Sequence, residues 1–119
     1  MVPDSFSEHF PTLGRMLPRQ ELAHLPTPLQ VVPLQGDETH RIAVKYDNLT
    51  GALYGGNKVR KLEYIFPRAG QRGCRTIATF GAAGSNHALA TALYAKKAGY
   101  ECVCFLSHQA KSPGVAATL

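Results

Sequence analysis

The fold is decided by a stretch that contains the end of a loop and the start of a helix, Gly55-Gly56-Asn57-Lys58-Val59-Arg60-Lys61-Leu62-Glu63-Tyr64. The other motifs of the chain lie before and after this stretch. The two glycines lack a β-carbon, so the backbone there can adopt conformations closed to other residues. Beyond them, Val59, Leu62, Ile65 and Phe66 recur at helical spacing and predict one buried face. The run therefore predicts a loop that closes onto a helix start, where unpaired N–H groups and the helix dipole favour an anion.

Cations crowd the first turn of this helix. Lys58, Arg60 and Lys61 all lie there, although the helix dipole favours acidic residues at this end. One interpretation is that the cations serve an anionic ligand. The other is that they form a solvated helix face, which is the usual reason for a run of charges.

A second glycine-bounded loop, Gly81-Ala82-Ala83-Gly84-Ser85-Asn86-His87, leads into a second helix. Upstream stand Thr27-Pro28-Leu29 and Lys45-Tyr46-Asp47-Asn48-Leu49-Thr50-Gly51. In this order, with the Lys58 loop between them, the motifs resemble the pyridoxal-phosphate (PLP) enzymes of the tryptophan-synthase-β type. The closer resemblance is to the branch that contains D-cysteine desulfhydrase and 1-aminocyclopropane-1-carboxylate (ACC) deaminase. It runs from about residue 25 to the last residue.

The resemblance implies an α/β fold. It would be the N-terminal portion of a two-domain, fold-type-II PLP enzyme, with a parallel βαβ unit at about residues 75–106. Residues 1–72 would supply an N-terminal arm, strands and the PLP-lysine helix of the larger domain, and residues 73–119 would begin the smaller βαβ domain. Two domains need roughly 300 residues in such enzymes, whereas this chain has 119. We therefore expect an N-terminal piece that is inactive by itself.

Local signals predict the individual elements. Residues 1–24 are expected to form short helical turns or an arm. A turn is expected over 35–39, and strands are expected at 29–34, 41–46, 76–80 and 101–106. Pro67 is expected to break or kink the first long helix, whereas Ser85 caps a second helix that continues to about Lys97 and stops at Gly99. The strand–helix–strand order predicts parallel strands with a right-handed crossover.

Lys58 is the expected Schiff-base lysine. PLP requires an amine that forms an imine with its aldehyde, and lysine is the common side chain that can do so. The resemblance places that imine at Lys58, directly after Asn57, and assigns the cofactor phosphate to Lys61. It also places Asn57 and Asn86 at the cofactor, with Asn86 against its phenolic oxygen. The alternative at each lysine is a solvated surface residue.

Ser85, Asn86 and His87 are the expected substrate-binding residues. Their N–H groups at a helix N-terminus would form a socket for a carboxylate. The resemblance further implies that Ser85 is catalytic. Alternatively, Ser85 does no more than cap the helix.

His87 indicates the subtype, because desulfhydrase-like members carry Ser-Asn-His where ACC deaminases carry Ser-Asn-Gln. The expected reaction is therefore α,β-elimination of D-cysteine to pyruvate, ammonia and sulfide. ACC deaminase or a threonine-synthase-like lyase is the alternative within the fold. A non-catalytic remnant or binding module is the alternative from another class.

The turn before the Lys58 loop departs from the family at Tyr46 and Asn48, which weakens its expected ion pairing, and Arg60 is expected to be structural.

Composition narrows the class of protein. With 45% hydrophobic and 18% charged residues, the chain is expected to be globular, and no apolar run approaches the ~20 residues that span a bilayer. The formal net charge of +5 could serve nucleic acid. However, the basic residues are scattered, without an aromatic-interleaved stripe or the spacing of a zinc site.

The remaining expectations concern surroundings and cysteines. The first residues lack the pattern of a signal peptide, so we expect a cytoplasmic protein. We expect a small amino-acid substrate, no nucleic-acid or membrane partner, and a homo-oligomer in the parent enzyme. Cys74, Cys102 and Cys104 are an odd number without a CxxC spacing. They are expected to be reduced core residues, the last two in a buried strand.

Overall fold

The computed structural model describes residues 5–118, and the predictions that fall on residues 1–4 lie outside that range. The described chain is α/β, and its elements follow in this order: α1 Ser5–His9, α2 Pro11–Met16, β1 Leu29–Leu34, β2 Asp37–Lys45, a 3-10 turn Asp47–Leu49, α3 Lys58–Gln71, β3 Thr76–Ala82, α4 Asn86–Lys97, β4 Glu101–Ser107 and α5 Pro113–Ala116. The N-terminal arm was expected as short helical turns, and α1 and α2 confirm this for its described part.

β1 and β2 form an antiparallel hairpin in which Leu29 pairs with Lys45. β1 has the predicted bounds. β2 begins at Asp37 rather than at residue 41, so the predicted five-residue turn is wrong. The turn is shorter because Gly36, at φ +85°, reverses the chain together with Gln35.

α3 begins at Lys58, as the glycine loop predicts, and buries Val59, Leu62 and Phe66. Ile65, expected on the same face, is 45% exposed. Glu63 is buried instead, at 1% exposure. The core face of the helix is therefore rotated away from Ile65 and onto a carboxylate.

Pro67 does not break α3, because the helix continues through it to Gln71, and the predicted alternative, a kink, stays a prediction. Proline lacks the N–H that would bond the carbonyl four residues earlier, which is that of Glu63. The backbone N–H of Gln20 donates to Glu63 O at 2.8 Å. The N-terminal arm thus supplies the hydrogen bond that the helix loses.

The second half of the chain confirms the predicted parallel βαβ unit. β3 and β4 pair in parallel from Thr76 with Glu101 to Ala82 with Ser107, and α4 connects them. α4 has the predicted cap and length: Ser85 Oγ accepts a hydrogen bond from Ala88 N, and the last helical residue is Lys97.

One hydrophobic cluster joins the two halves. Its buried members come from the arm, α3, β3 and α4, and are Leu22, Val59, Leu62, Phe66, Ile77, Ala90, Tyr94 and Ala95. The cluster therefore contains residues from both sides of the boundary expected near residue 72. The division into two domains stays a prediction.

The expectation of a buried β4 is wrong for the described residues. Cys74 and Cys104 are exposed and Cys102 is half-buried, all three as free thiols. On the sheet face away from α4, Phe80 and Phe105 stack with ring centroids 4.9 Å apart. They are 69% and 53% exposed, because within residues 5–118 α4 is the helix packed on this sheet.

Candidate active site

The loop before Lys58 is closed by its own backbone. Gly56 N–H donates to Asp47 O at 2.6 Å. Thr50 is fully buried, and its Oγ1 lies 2.9 Å from Asp47 O and 2.8 Å from Gly56 O. Gly56 has φ +110°, a conformation that strongly favours glycine. Lys58 therefore enters α3 from a fixed turn.

Close packing also requires the first glycine of the pair. A β-carbon built on Gly55 would lie 1.8 Å from Asn48 O, a distance that no side chain could tolerate. The two glycines therefore have different roles. Gly55 permits the loop to pack against Asn48, and Gly56 adopts the backbone conformation of the turn into the helix.

Arg60 binds the 3-10 turn that closes this loop. Its Nη2 donates to Asp47 Oδ1 at 2.8 Å. That hydrogen bond is the main reason why the pKa of Asp47 lies below its usual value. Thr27 Oγ1 also donates to Asp47 Oδ1, at 3.3 Å, and Lys45 Nζ donates to Thr27. The prediction that Arg60 is structural is confirmed by this ion pair.

The second loop presents Ser85, Asn86 and His87 at the start of α4. Ser85 Oγ accepts from Ala88 N–H at 3.2 Å, and Ser85 N–H donates to Ala82 O at 2.9 Å. Of the three N–H groups expected to bind a carboxylate, that of Ser85 is therefore already used within the loop. Those of Asn86 and His87 have no partner among the described hydrogen bonds.

The two loops converge around His87. Its imidazole is half-buried, and Nδ1 is buried without a hydrogen-bond partner within residues 5–118. Burial lowers the pKa of His87, and the positive charges of Lys61 and Lys58 lower it further. Burial therefore favours the neutral imidazole, and the two loops are joined by the Tyr54 hydroxyl, which donates to Asn86 Oδ1 at 2.7 Å.

The remaining predicted residues lie on the open side of this region. Asn57 precedes the first helical residue of α3 and makes no side-chain cap. Asn57, Lys61 and Asn86 are exposed, whereas Lys58 and Ser85 are half-buried. Their polar groups are thus available to a ligand from solvent.

This set of groups fits PLP. Lys58 offers a primary amine for an aldehyde, and Lys61 offers a cation for a phosphate. Asn86 offers an amide N–H₂ for an oxygen acceptor. The buried, unpaired Nδ1 of His87 is an unsatisfied polar atom of the kind that a bound ligand or water satisfies.

Two structural residues were missed by sequence reasoning. Glu63 accepts hydrogen bonds from Arg19 Nε at 2.9 Å and from the N–H groups of Leu22 and Ala23 at 2.9 and 2.8 Å. Its spacing from Val59 and Phe66 would have placed it on the buried face. Tyr54, whose hydroxyl donates to Asn86 Oδ1 at 2.7 Å, carries no such signal.

A lysine begins α3, and a second glycine-bounded loop leads into α4, which is the arrangement that the resemblance to PLP-dependent enzymes predicts. Residues 20–118 match the family model described as "Pyridoxal-phosphate dependent enzyme". The chain belongs to the PLP-dependent enzyme family, which confirms the resemblance and its cofactor.

Particular relatives place it within the family. The chain is 48% identical over 90 residues to a Pyrococcus abyssi protein provisionally named 1-aminocyclopropane-1-carboxylate deaminase, covering 75% of this chain and 27% of that protein. It is 44% identical over 92 residues to D-cysteine desulfhydrase of Salmonella paratyphi B, covering 76% and 28%. A crystal structure of an ACC deaminase homologue matches with a TM-score of 0.74 and 40% identity, covering 89% of this chain and 31% of that one.

The chain therefore spans less than a third of each of these relatives. Neither the identities nor the names separate the two activities. In residues 5–118, no helix is long and apolar enough to cross a bilayer. The same residues contain no cluster of three or more His, Cys, Asp and Glu side chains that could hold a metal ion.

Proposed function

We propose that this chain carries the lysine side of the PLP site of a D-cysteine desulfhydrase-like lyase, with Lys58 as the Schiff-base residue. The observation that carries the proposal is the hydrogen bond from the Tyr54 hydroxyl, in the loop before Lys58, to Asn86 Oδ1 at 2.7 Å. It brings the start of α3 to the start of α4. A lone surface lysine would have no such neighbour.

The other residues have distinct roles in this proposal. Lys61 neutralises the cofactor phosphate, and Asn57 and Asn86 hydrogen-bond the cofactor. Bound PLP supplies stabilisation of negative charge at the α-carbon of an amino acid. Lys58 would hold the cofactor through its amine, and the same Nζ, as a free amine, would take and hold the α-proton of the substrate.

The substrate carboxylate is proposed to bind the start of α4. The N–H groups of Asn86 and His87 have no partner within the described residues, and the helix dipole favours an anion there. Ser85 contributes its hydroxyl rather than its N–H, which is bonded to Ala82 O. The hydroxyl oxygen accepts from Ala88 N–H, so its hydrogen can still be donated to the substrate.

D-Cysteine is the proposed substrate because of His87. A neutral imidazole can exchange a proton with the thiol of the substrate, because one ring nitrogen donates and the other accepts. ACC deaminase remains the second candidate, because the Pyrococcus abyssi relative and the solved homologue both bear that name.

The isolated chain is proposed to bind PLP weakly and to turn over no substrate. Asn57, Lys61 and Asn86 are all exposed, so the described residues leave the site open to water. Exclusion of water strengthens every electrostatic contact in such a site. An open site is therefore expected to hold the cofactor loosely.

The test is chemical trapping on the full 119-residue chain. PLP is added, the imine is reduced with borohydride, and the labelled peptide is mapped. Lys58 should carry most of the pyridoxyl group, and Lys58→Ala should lose it while Lys97→Ala, at the far end of α4, does not. Equal labelling of Lys58, Lys61 and Lys97 would show adventitious imine formation and end the assignment.

A further inference from the structure

We propose that the Tyr54 hydroxyl orients the side-chain amide of Asn86 and so presents the amide N–H₂ to a ligand at Lys58. Tyr54 O–H donates to Asn86 Oδ1 at 2.7 Å. Tyr54 lies in the loop that leads to Lys58, and Asn86 is the first residue of α4. The inference rests on the proposed function, because it assigns a positioning residue to that same site.

Tyr54 is itself held by the hydrophobic core. The hydroxyl of Tyr94 donates to Tyr54 O at 2.9 Å, and Tyr94 is 1% exposed. Asn86 and Tyr94 both belong to α4 and lie about 12 Å apart along its axis at a rise of 1.5 Å per residue. Tyr54 therefore contacts α4 at two points, with its backbone at Tyr94 and its side chain at Asn86.

These two contacts of Tyr54 with α4 decide which end of the Asn86 amide faces the ligand. The terminal torsion of an asparagine side chain is broad and roughly two-fold, so an unrestrained amide presents oxygen or nitrogen with similar ease. With Oδ1 engaged by Tyr54, Nδ2 points the other way, and it has no partner among the described hydrogen bonds. The phenolic oxygen of PLP accepts hydrogen bonds, so the orientation that Tyr54 enforces is the one that the cofactor needs.

The chain contains a matched control for the same chemistry. The hydroxyl of Tyr46 donates to Gln30 Oε1 on the β1-β2 hairpin, outside the site. Tyr46→Phe removes a tyrosine-to-amide hydrogen bond of the same kind. Any general effect of losing such a bond appears in both variants, whereas an effect through Asn86 appears in Tyr54→Phe alone.

The first experiment needs no cofactor. The ¹H–¹⁵N spectrum of the full chain should place the Asn86 side-chain N–H₂ apart from the signals of solvent-exposed amides. In Tyr54→Phe that pair should move to the solvent-exposed position, and in Tyr46→Phe it should stay. An Asn86 amide signal that is unchanged by Tyr54→Phe would overturn the proposal. Should Tyr54→Phe fail to fold, Asn86→Ala gives the same decision through the ring signals of Tyr54.

The second experiment measures whether the orientation of the Asn86 amide affects the binding of PLP. Tyr54→Phe should raise the Kd for PLP by about 3- to 10-fold, the range expected for one hydrogen bond. In an Asn86→Ala background it should have no further effect, because Tyr54 acts through Asn86. An equal loss in both backgrounds would show an independent role and overturn the proposal. If the unmodified chain fails to bind PLP but the amide signal still responds, the orientation stands and the proposed function of this chain fails.

Discussion

The backbone N–H of Gln20 bonds the carbonyl of Glu63, the group that Pro67 leaves without a partner inside α3. On the same residue, the buried carboxylate accepts from Arg19, Leu22 and Ala23. Glu63 is thus the point at which the N-terminal arm is fixed to α3, through both its main chain and its side chain. Since α3 also carries Lys58, the arm braces the helix that positions the site.

Glu63→Ala should be strongly destabilising. It removes the carboxylate that accepts from Arg19 Nε and from two backbone N–H groups, at a position that is 1% exposed. Removing one partner of a buried pair costs about 3–5 kcal/mol. We expect the urea midpoint to fall steeply or the transition to disappear. Glu101→Ala, on an exposed residue, is the control and should change the midpoint little. A Glu63→Ala chain as stable as that control would contradict the role assigned to Glu63.

Pro67→Ala should stabilise α3 and loosen the arm. Alanine restores the N–H that bonds Glu63 O, and it is intrinsically about 3 kcal/mol better than proline in a helix interior. Because the arm already satisfies part of that loss, we expect a gain nearer 1 kcal/mol. The amide of Gln20 should exchange with solvent faster, since it now shares its acceptor. Unchanged exchange at Gln20 would show that the two bonds do not compete.

The predictable parts of the fold are those with local causes. α4 follows from the Ser85 cap and the glycine at position 99, both neighbours of the helix in sequence. The exposure of Ile65 and the continuation of α3 through Pro67 were not predicted. Both depend on contacts with the N-terminal arm, which lies more than 40 positions away along the chain. No local signal links Tyr54 to Asn86, since that contact forms after two loops have been brought together. Sequence motifs predict the candidate site residues, but the orientation of these residues relative to one another depends on tertiary packing.

The pH dependence of stability should report on His87. Its pKa is lowered in the folded chain by burial and by Lys61 and Lys58. As the pH falls below 6.5, the unfolded chain binds a proton that the folded chain resists, so stability is lost from there down through the folded pKa. His87→Gln should remove this part of the pH dependence. Urea melts between pH 7.5 and 5 measure it.

The pKa of His87 also tests whether Lys58 and Lys61 lie near the imidazole. Lys61→Gln should raise the pKa of His87, and Lys58→Gln should raise it by less, following the order of their influence. Lys97→Gln, at the other end of α4, is the control. NMR titration of the imidazole protons gives each value. If neither Lys58→Gln nor Lys61→Gln moved the pKa, the two lysines would not act on His87, and this would count against the proposed site.

The exposed face of the β3-β4 sheet should make the isolated chain associate at high concentration. Phe80, Val103 and Phe105 are 69%, 45% and 53% exposed, and parallel sheets are otherwise found with both faces covered. Contiguous apolar surface of this kind and unpaired strand edges both favour association. Phe105→Lys should therefore lower the sedimentation coefficient measured at high concentration. Its cost in stability should be about 0.5–1.5 kcal/mol, the usual worth of one aromatic pair.

Phe10→Lys is the matched control for Phe105→Lys, since Phe10 is 54% exposed and packs on Phe6 with ring centroids 5.5 Å apart, away from the sheet. If both variants reduced association equally, general charge repulsion would explain the effect, and the sheet face would not be its cause.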